Sequence, residues 1–94
     1  MRDDLNPKSL NTNEKLDEVI RNSIAELVRS QRKAQQPPLS QEELAYKAGI
    51  SFEHLNHIEN LRAMPSIEVL YRIARALGCS RLSEFLLLDK REVL

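Results

Sequence analysis

The sequence predicts an all-α fold of five helices, the first longer than the rest. Three observations carry that expectation. Apolar residues recur at spacings of three and four, the rhythm of a helix with one buried face. Each of the four short apolar segments opens on a serine, and prolines or a glycine stop the first, second and fourth helices. With two glycines, 4% aromatic residues and no alternating apolar-polar run, nothing reads as a turn-rich sheet.

Residues 1–13 are polar, with Asn6, Asn11 and Asn13 and no hydrophobic period, and are expected to form a flexible N-terminal arm. Residues 14–94 are expected to make a single domain. Its first helix carries Leu16, Ile20, Ile24, Leu27 and Val28 on one face, with Asn11 as cap and Glu14 returning the capping bond. It should end about Gln35, because Pro37-Pro38 cannot continue it. Ser40-Gln41-Glu42-Glu43 is a capping box opening a second helix with Leu44, Ala45 and Ala48, stopped by Gly49. Ser51 caps a third, with Leu55 and Ile58 inward. After a polar linker, Asn60 to Met64, Ser66 caps a fourth with Ile67, Leu70, Ile73, Ala74 and Leu77, ended by Gly78. Ser80 opens a fifth, of about 80–89, holding Leu82, Phe85, Leu86, Leu87 and Leu88.

Composition narrows the function classes. A chain of 94 residues suits one small domain and does not accommodate a deep cleft between two lobes. The single cysteine, Cys79, excludes an internal disulfide and a multi-cysteine zinc site, in keeping with a reducing cytoplasm. No run approaches a membrane span, and the polar start Met1-Arg2-Asp3-Asp4 is unlike a signal peptide. Fourteen basic residues balance fourteen acidic ones, so net charge favours no class of partner.

The informative stretch is Ser40 to Glu59. Two short helices joined by Gly49-Ile50-Ser51 form a helix-turn-helix pattern, the motif being about residues 40–59. Ala45 permits close crossing, Gly49 reverses the chain with positive φ, and Ile50 plugs the space beneath the turn. At about 100° per residue, Leu55 and Ile58 define the inward side of the second motif helix, so Glu53, Asn56, His57 and Asn60 project outward. Phe52 lies at the side, at the helix start. A helix pinned in this way can enter a major groove, with His and Asn as base-edge or phosphate partners.

The run Leu39-Ser40-Gln41-Glu42-Glu43-Leu44-Ala45, Ala48-Gly49-Ile50-Ser51, Leu55, Ile58-Glu59, Pro65-Ser66, Leu70, Ile73-Ala74 and Ala76-Leu77-Gly78 resembles the phage-repressor (Cro/Xre-like) helix-turn-helix family over about residues 16–88. The resemblance implies a five-helix lambda-repressor-like domain that binds double-stranded DNA as a homodimer and controls transcription, as a repressor in many members. It implies a phosphate contact at Gln41. Ser51, Phe52, Glu53, Asn56 and His57 then stand at or beside the bases, and Asn60 and Arg62 on the backbone. Family members also include antitoxins and restriction-modification controllers, so a protein-interaction module on the same scaffold is the rival expectation. The chain departs from the family pattern in its longer first helix, in Gln35-Gln36-Pro37-Pro38 where a tight glycine turn is usual, and in Gln31 at a position often Leu. It departs also in charge: from Ser40 to Ala63, Lys47 and Arg62 face Glu42, Glu43, Glu53 and Glu59, a formal −2. Glu53 either faces water near phosphate or accepts from cytosine, and Glu59 can pair with Arg32. A basic surface contributed by Arg21, Arg29, Arg32 and Lys33 beside the motif would favour DNA, and a continuous acidic or apolar surface there the rival.

Other chemistries find less footing. His54 and His57 share part of a helix surface but lack the His-Glu-x-x-His order and a third ligand, so no metal is expected. Cys79 at a helix junction reads as a small buried residue. No catalytic triad order, phosphate loop or paired carboxylates stand out, so neither an enzyme nor a cofactor is expected. In the fifth helix Leu82, Phe85 and Leu86 make an inward stripe that Leu87 and Leu88 extend round the helix, and from this surplus Leu86, Leu87, Leu88, Val93 and Leu94 are the expected dimer interface. A dimer of this kind would set two recognition helices about 34 Å apart on a pseudo-palindrome.

Overall fold

The computed structural model describes residues 7–88, with side chains from residue 15 onward. These residues form five helices and no strand: α1 Pro7–Lys33, α2 Gln41–Ala48, α3 Phe52–Glu59, α4 Ile67–Ala76 and α5 Leu82–Leu86. The all-α, five-helix expectation stands.

α1 begins earlier than expected. Residues 7–13, read above as part of the arm, are helical, and Asn11 lies inside the helix rather than at its start. Pro7 at the first helical position is the missed signal. Its fixed φ suits a helix start, and its absent N–H is one that the first turn leaves unused. Polar Asn and Ser within a helix cost only a few tenths of a kcal/mol each, roughly, which an uninterrupted helix tolerates. At its other end α1 stops at Lys33, two residues short of expectation. A turn follows, with Gln35 donating to the Arg32 carbonyl at 3.4 Å and Leu39 returning to the same carbonyl at 3.1 Å. The Gln36–Pro37 bond is cis.

The stops and starts of α2 to α4 follow their expected residues. Ser40 Oγ accepts from the Glu43 amide at 3.0 Å while the Ser40 amide donates to Glu43 Oε1 at 2.8 Å, a complete capping box. Ser51 and Ser66 cap α3 and α4 in the same sense, accepting from His54 and Val69 amides at 3.0 and 3.1 Å. Gly49 is left-handed at φ 72°, and the following Ile50 amide reaches back to the Ala45 carbonyl at 3.0 Å. A side chain at 49 would be strained by that backbone, while the nearest neighbour of its Cβ, Arg72 Nη1 at 3.0 Å, is the end of a flexible side chain that can move aside. Past α4, Gly78 takes a positive φ of 99°.

α1 packs on α3, α2 on both α3 and α4, and α4 on α5. Leu27, Val28, Leu44, Ala45, Ala48, Leu55, Ile58, Leu70, Ile73, Ala74, Leu77, Cys79 and Phe85 make one core, with Ile50 packed against it beneath the turn. Two expected faces depart from this. Of the α1 stripe, Leu27 and Val28 are buried and Ile24 half-buried, but Leu16 and Ile20 remain 53% and 46% exposed. The reason is reach. A helix of 27 residues spans about 40 Å, while the partners of α1 are helices of ten residues or fewer, about 15 Å at most. In α5, Phe85 is buried and Leu82 and Leu88 half-buried, but Leu86, expected inward, faces outward, as does Leu87 at 83% exposure. The helix has five residues and no side-chain cap; Ser80 instead donates its amide to Glu84 Oε1 at 3.0 Å. Val93 and Leu94 lie outside the described residues. No helix among the described residues is long and apolar enough to cross a membrane.

Candidate nucleic-acid interface

α3 is held by one side. Leu55 and Ile58 are almost wholly buried against the core, and the opposite side carries Phe52, Glu53, Asn56, His57 and Asn60. Phe52, Glu53 and Asn60 are exposed, while Asn56 and His57 are half-buried. Ser51 is exposed too, but its Oγ is committed to the His54 amide, so its role in the structure is to start α3. Asn60 Nδ2 donates to the Asn56 carbonyl at 2.9 Å, closing the last turn. Arg62 is exposed, and its amide donates to the His57 carbonyl at 2.8 Å.

Beneath this surface lies a hydrogen-bonded chain that begins with a buried ion pair. Arg32 of α1 donates from Nε to Glu59 Oε2 at 2.8 Å and from Nη2 to Oε1 at 2.9 Å, a two-pronged pair with both residues under a tenth exposed. The hydrogen-bonded Glu59 carboxylate raises the guanidinium pKa above its ordinary value, although burial works against it. Arg32 Nη1 also donates to the Leu39 carbonyl at 2.9 Å, and Arg29 Nη1 to the Glu59 carbonyl at 3.0 Å. Glu59 Oε1 accepts a further bond, from Gln41 Nε2 at 2.9 Å, and Gln41 Oε1 accepts from Asn56 Nδ2 at 3.0 Å.

The polarity of this chain is dictated from its charged end. A guanidinium only donates and a carboxylate only accepts, so Gln41 must turn its NH₂ inward and its oxygen toward Asn56. Asn56 must then donate to Gln41, which leaves its Oδ1 and second N–H for a partner outside. Two residues expected separately at the interface are thus one unit, assembled from α2 and α3 and oriented by the Glu59 carboxylate of α3, which Arg32 of α1 holds. The Arg32–Glu59 pairing was legible as a charge complement across 27 residues of sequence. The Gln41–Asn56 coupling was not, because no charge marks it and only the α2–α3 crossing brings the two amides together.

The basic surface beside the motif that would favour DNA is smaller than the count of arginines and lysines suggests. Arg32 is spent on Glu59, Arg29 is drawn to a backbone carbonyl, and Arg21 is half-buried, while Lys33 stays exposed. The acidic side shrinks in step. Glu59 is internal and neutralised, and Glu43 is engaged in the capping box. Around α3 the exposed charges are then Glu42, Glu43 and Glu53 against Lys47 and Arg62. Among the described residues no group of three or more His, Cys, Asp or Glu side chains is placed to hold a metal ion.

A short helix seated on the core by one apolar side, entered through a glycine turn from a capped helix, defines a helix-turn-helix domain. Residues 28–83 match the model of a helix-turn-helix family, and the chain belongs to it, in the Cro/Xre-like group. The chain is also similar to an uncharacterized HTH-type transcriptional regulator of Methanothermobacter thermautotrophicus, 38% identical over 64 residues, which are 68% of this chain and 90% of the relative. No solved structure matches it.

Proposed function

We propose that this chain is a sequence-specific, DNA-binding regulator of transcription that acts in the cytoplasm without a catalytic step or cofactor. The observation that carries the reading is the oriented amide pair of Gln41 and Asn56 on the outer side of α3. An asparagine with a free oxygen and a free N–H on one edge is matched to adenine N6 and N7 in a major groove. Phe52, Glu53 and His57 flank it, Ser51 sets the start of the helix, and Asn60 and Arg62 stand beside the strand that borders the groove. The name of the Methanothermobacter relative supports the same assignment.

The regulator acts as a homodimer on a pseudo-palindromic operator, by occlusion or recruitment at the promoter. Exposed Leu86 and Leu87, with half-buried Leu88 behind them, support pairing through α5. Removing one central Leu by Leu87→Glu leaves a charge to be buried at that interface, so the variant should stay helical and sediment as a monomer.

Selection of bound duplexes from a random pool tests the proposal. Asn56→Ala should relax preference at one operator position at a cost of about 1–3 kcal/mol, while Arg62→Ala should weaken all duplexes and flatten the salt dependence. Glu53→Gln should tighten binding uniformly where the carboxylate merely repels phosphate, or lose one base preference where it accepts from cytosine. The reading is falsified if no selected duplex binds in a salt-sensitive way. The rival, a scaffold that docks another polypeptide, draws on the exposed excess of Glu42, Glu43 and Glu53, and that same outcome would favour it.

A further inference from the structure

Leu61 stands where the chain leaves α3, and its backbone is left-handed, with φ 65°. The bonds around it demand that conformation. The Leu61 amide donates to the Ile58 carbonyl at 3.3 Å and the Arg62 amide reaches back to His57 at 2.8 Å, the pattern that closes a helix through one left-handed residue. Glycine adopts it freely and asparagine nearly so; a leucine is disfavoured there by its Cβ. Among the described residues Leu61 is the non-glycine residue with positive φ. Its side chain is only partly covered in return, being 41% exposed, and it is not one of the buried residues that make the core. An isolated exposed leucine is ordinary, and so is a left-handed asparagine. Leu61 is thus both strained and exposed, between exposed Asn60 and Arg62 just past the end of α3, and such strain is a mark of functional positions.

We propose that Leu61 packs against a deoxyribose of the DNA strand whose phosphate Arg62 engages, an inference that rests on the DNA-binding reading above. A DNA strand alternates anionic phosphates with apolar sugar faces, and the Asn60-Leu61-Arg62 rim alternates polar, apolar and cationic side chains in the same way. The contact is with sugar, so it adds affinity for every sequence and releases no counterion.

Three variants and two readouts separate this role from a structural one. Leu61→Asn relieves the backbone without the added freedom of glycine, and should raise the thermal midpoint by about 4 °C. It should also weaken a pool-selected duplex and an unrelated duplex alike by roughly fivefold, the effect of about 40 Å² of apolar surface no longer withdrawn from water. The slope of log affinity against log salt should stay that of the wild type, whereas Arg62→Ala should lower it by about 1. Leu61→Met should bind as the wild type does. A Leu61→Asn protein that is more stable and binds both duplexes unchanged overturns the proposal and leaves the DNA-binding reading intact. Loss confined to a single base pair overturns it in favour of a base contact. A wild-type chain without salt-sensitive binding to any selected duplex removes both.

Discussion

In the last third of α1, Leu27, Val28 and Arg32 are buried between the core and Glu59, whereas Leu16, Val19 and Ile20, about two to three turns earlier on the same helix, stand about half exposed. Both segments have the apolar spacing of a packed helix face, and both are helical. Periodicity states which side of a helix is able to be buried, while burial itself requires a neighbour long enough to reach it. The two segments also differ in polar content. The covered end holds a guanidinium whose donors meet a carboxylate and a carbonyl, and the Glu59 carboxylate it pairs with orients Gln41 and, through it, Asn56. Stability and surface chemistry therefore share one anchor at that end, and the other end contributes to neither within the chain.

The largest expected break in this contrast is at the anchor. Glu59→Ala leaves Arg32 charged and buried without its partner, and should cost about 3–5 kcal/mol of unfolding free energy in a denaturant titration. The paired change Arg32→Met with Glu59→Leu should recover most of that loss, because a well-packed apolar pair replaces a desolvated ionic one. It should not recover base preference, since Gln41 loses the acceptor that orients it. A double variant with wild-type selectivity would show that Asn56 is set without the chain beneath it.

Val28→Ala tests the covered end without touching charge. Deleting two methyl groups at a fully buried site should cost about 2 kcal/mol, the transfer of two carbons plus a small cavity. The uncovered end should respond far less: Ile20→Ala and Leu16→Ala should each shift stability by no more than about 0.5 kcal/mol at micromolar protein. A cost above about 1 kcal/mol at Ile20 would mean that this face is covered in solution, and its dependence on protein concentration would say whether a second copy covers it.

The smallest effect concerns the thiol in the same core. Burial, with a lesser push from Glu84, raises the Cys79 pKa above its ordinary value of 9.0. Folding thus favours the neutral thiol. The associated stability is fully present below pH 9.0 and is lost as pH climbs through the raised value. Alkylation of the native chain at pH 8 should accordingly lag well behind that of the urea-unfolded chain. Equal rates would show that the α4–α5 junction opens readily.

The sequence by itself determined the number of helices, most of their ends and the inward residues of α2, α3 and α4, because caps, glycine stops and apolar spacing act within a few residues of one another. Ser40 with Glu43, Ser51, Gly49, Leu55 and Ile58 all took the places their local chemistry requires. Even the Arg32–Glu59 pair was legible, since opposite charges next to apolar stripes need partners. The start of α1 at Pro7 was present in the sequence as well, in a residue whose fixed φ suits a first turn. Tertiary structure alone decided how much of the α1 stripe is covered, which way Leu86 faces, and that Gln41 and Asn56 share one hydrogen bond. These depend on the lengths and crossings of separate helices, and the amide orientation depends on a charge that another helix supplies. The left-handed Leu61 belongs with them, for its conformation follows from how α3 closes and its exposure from where the core ends.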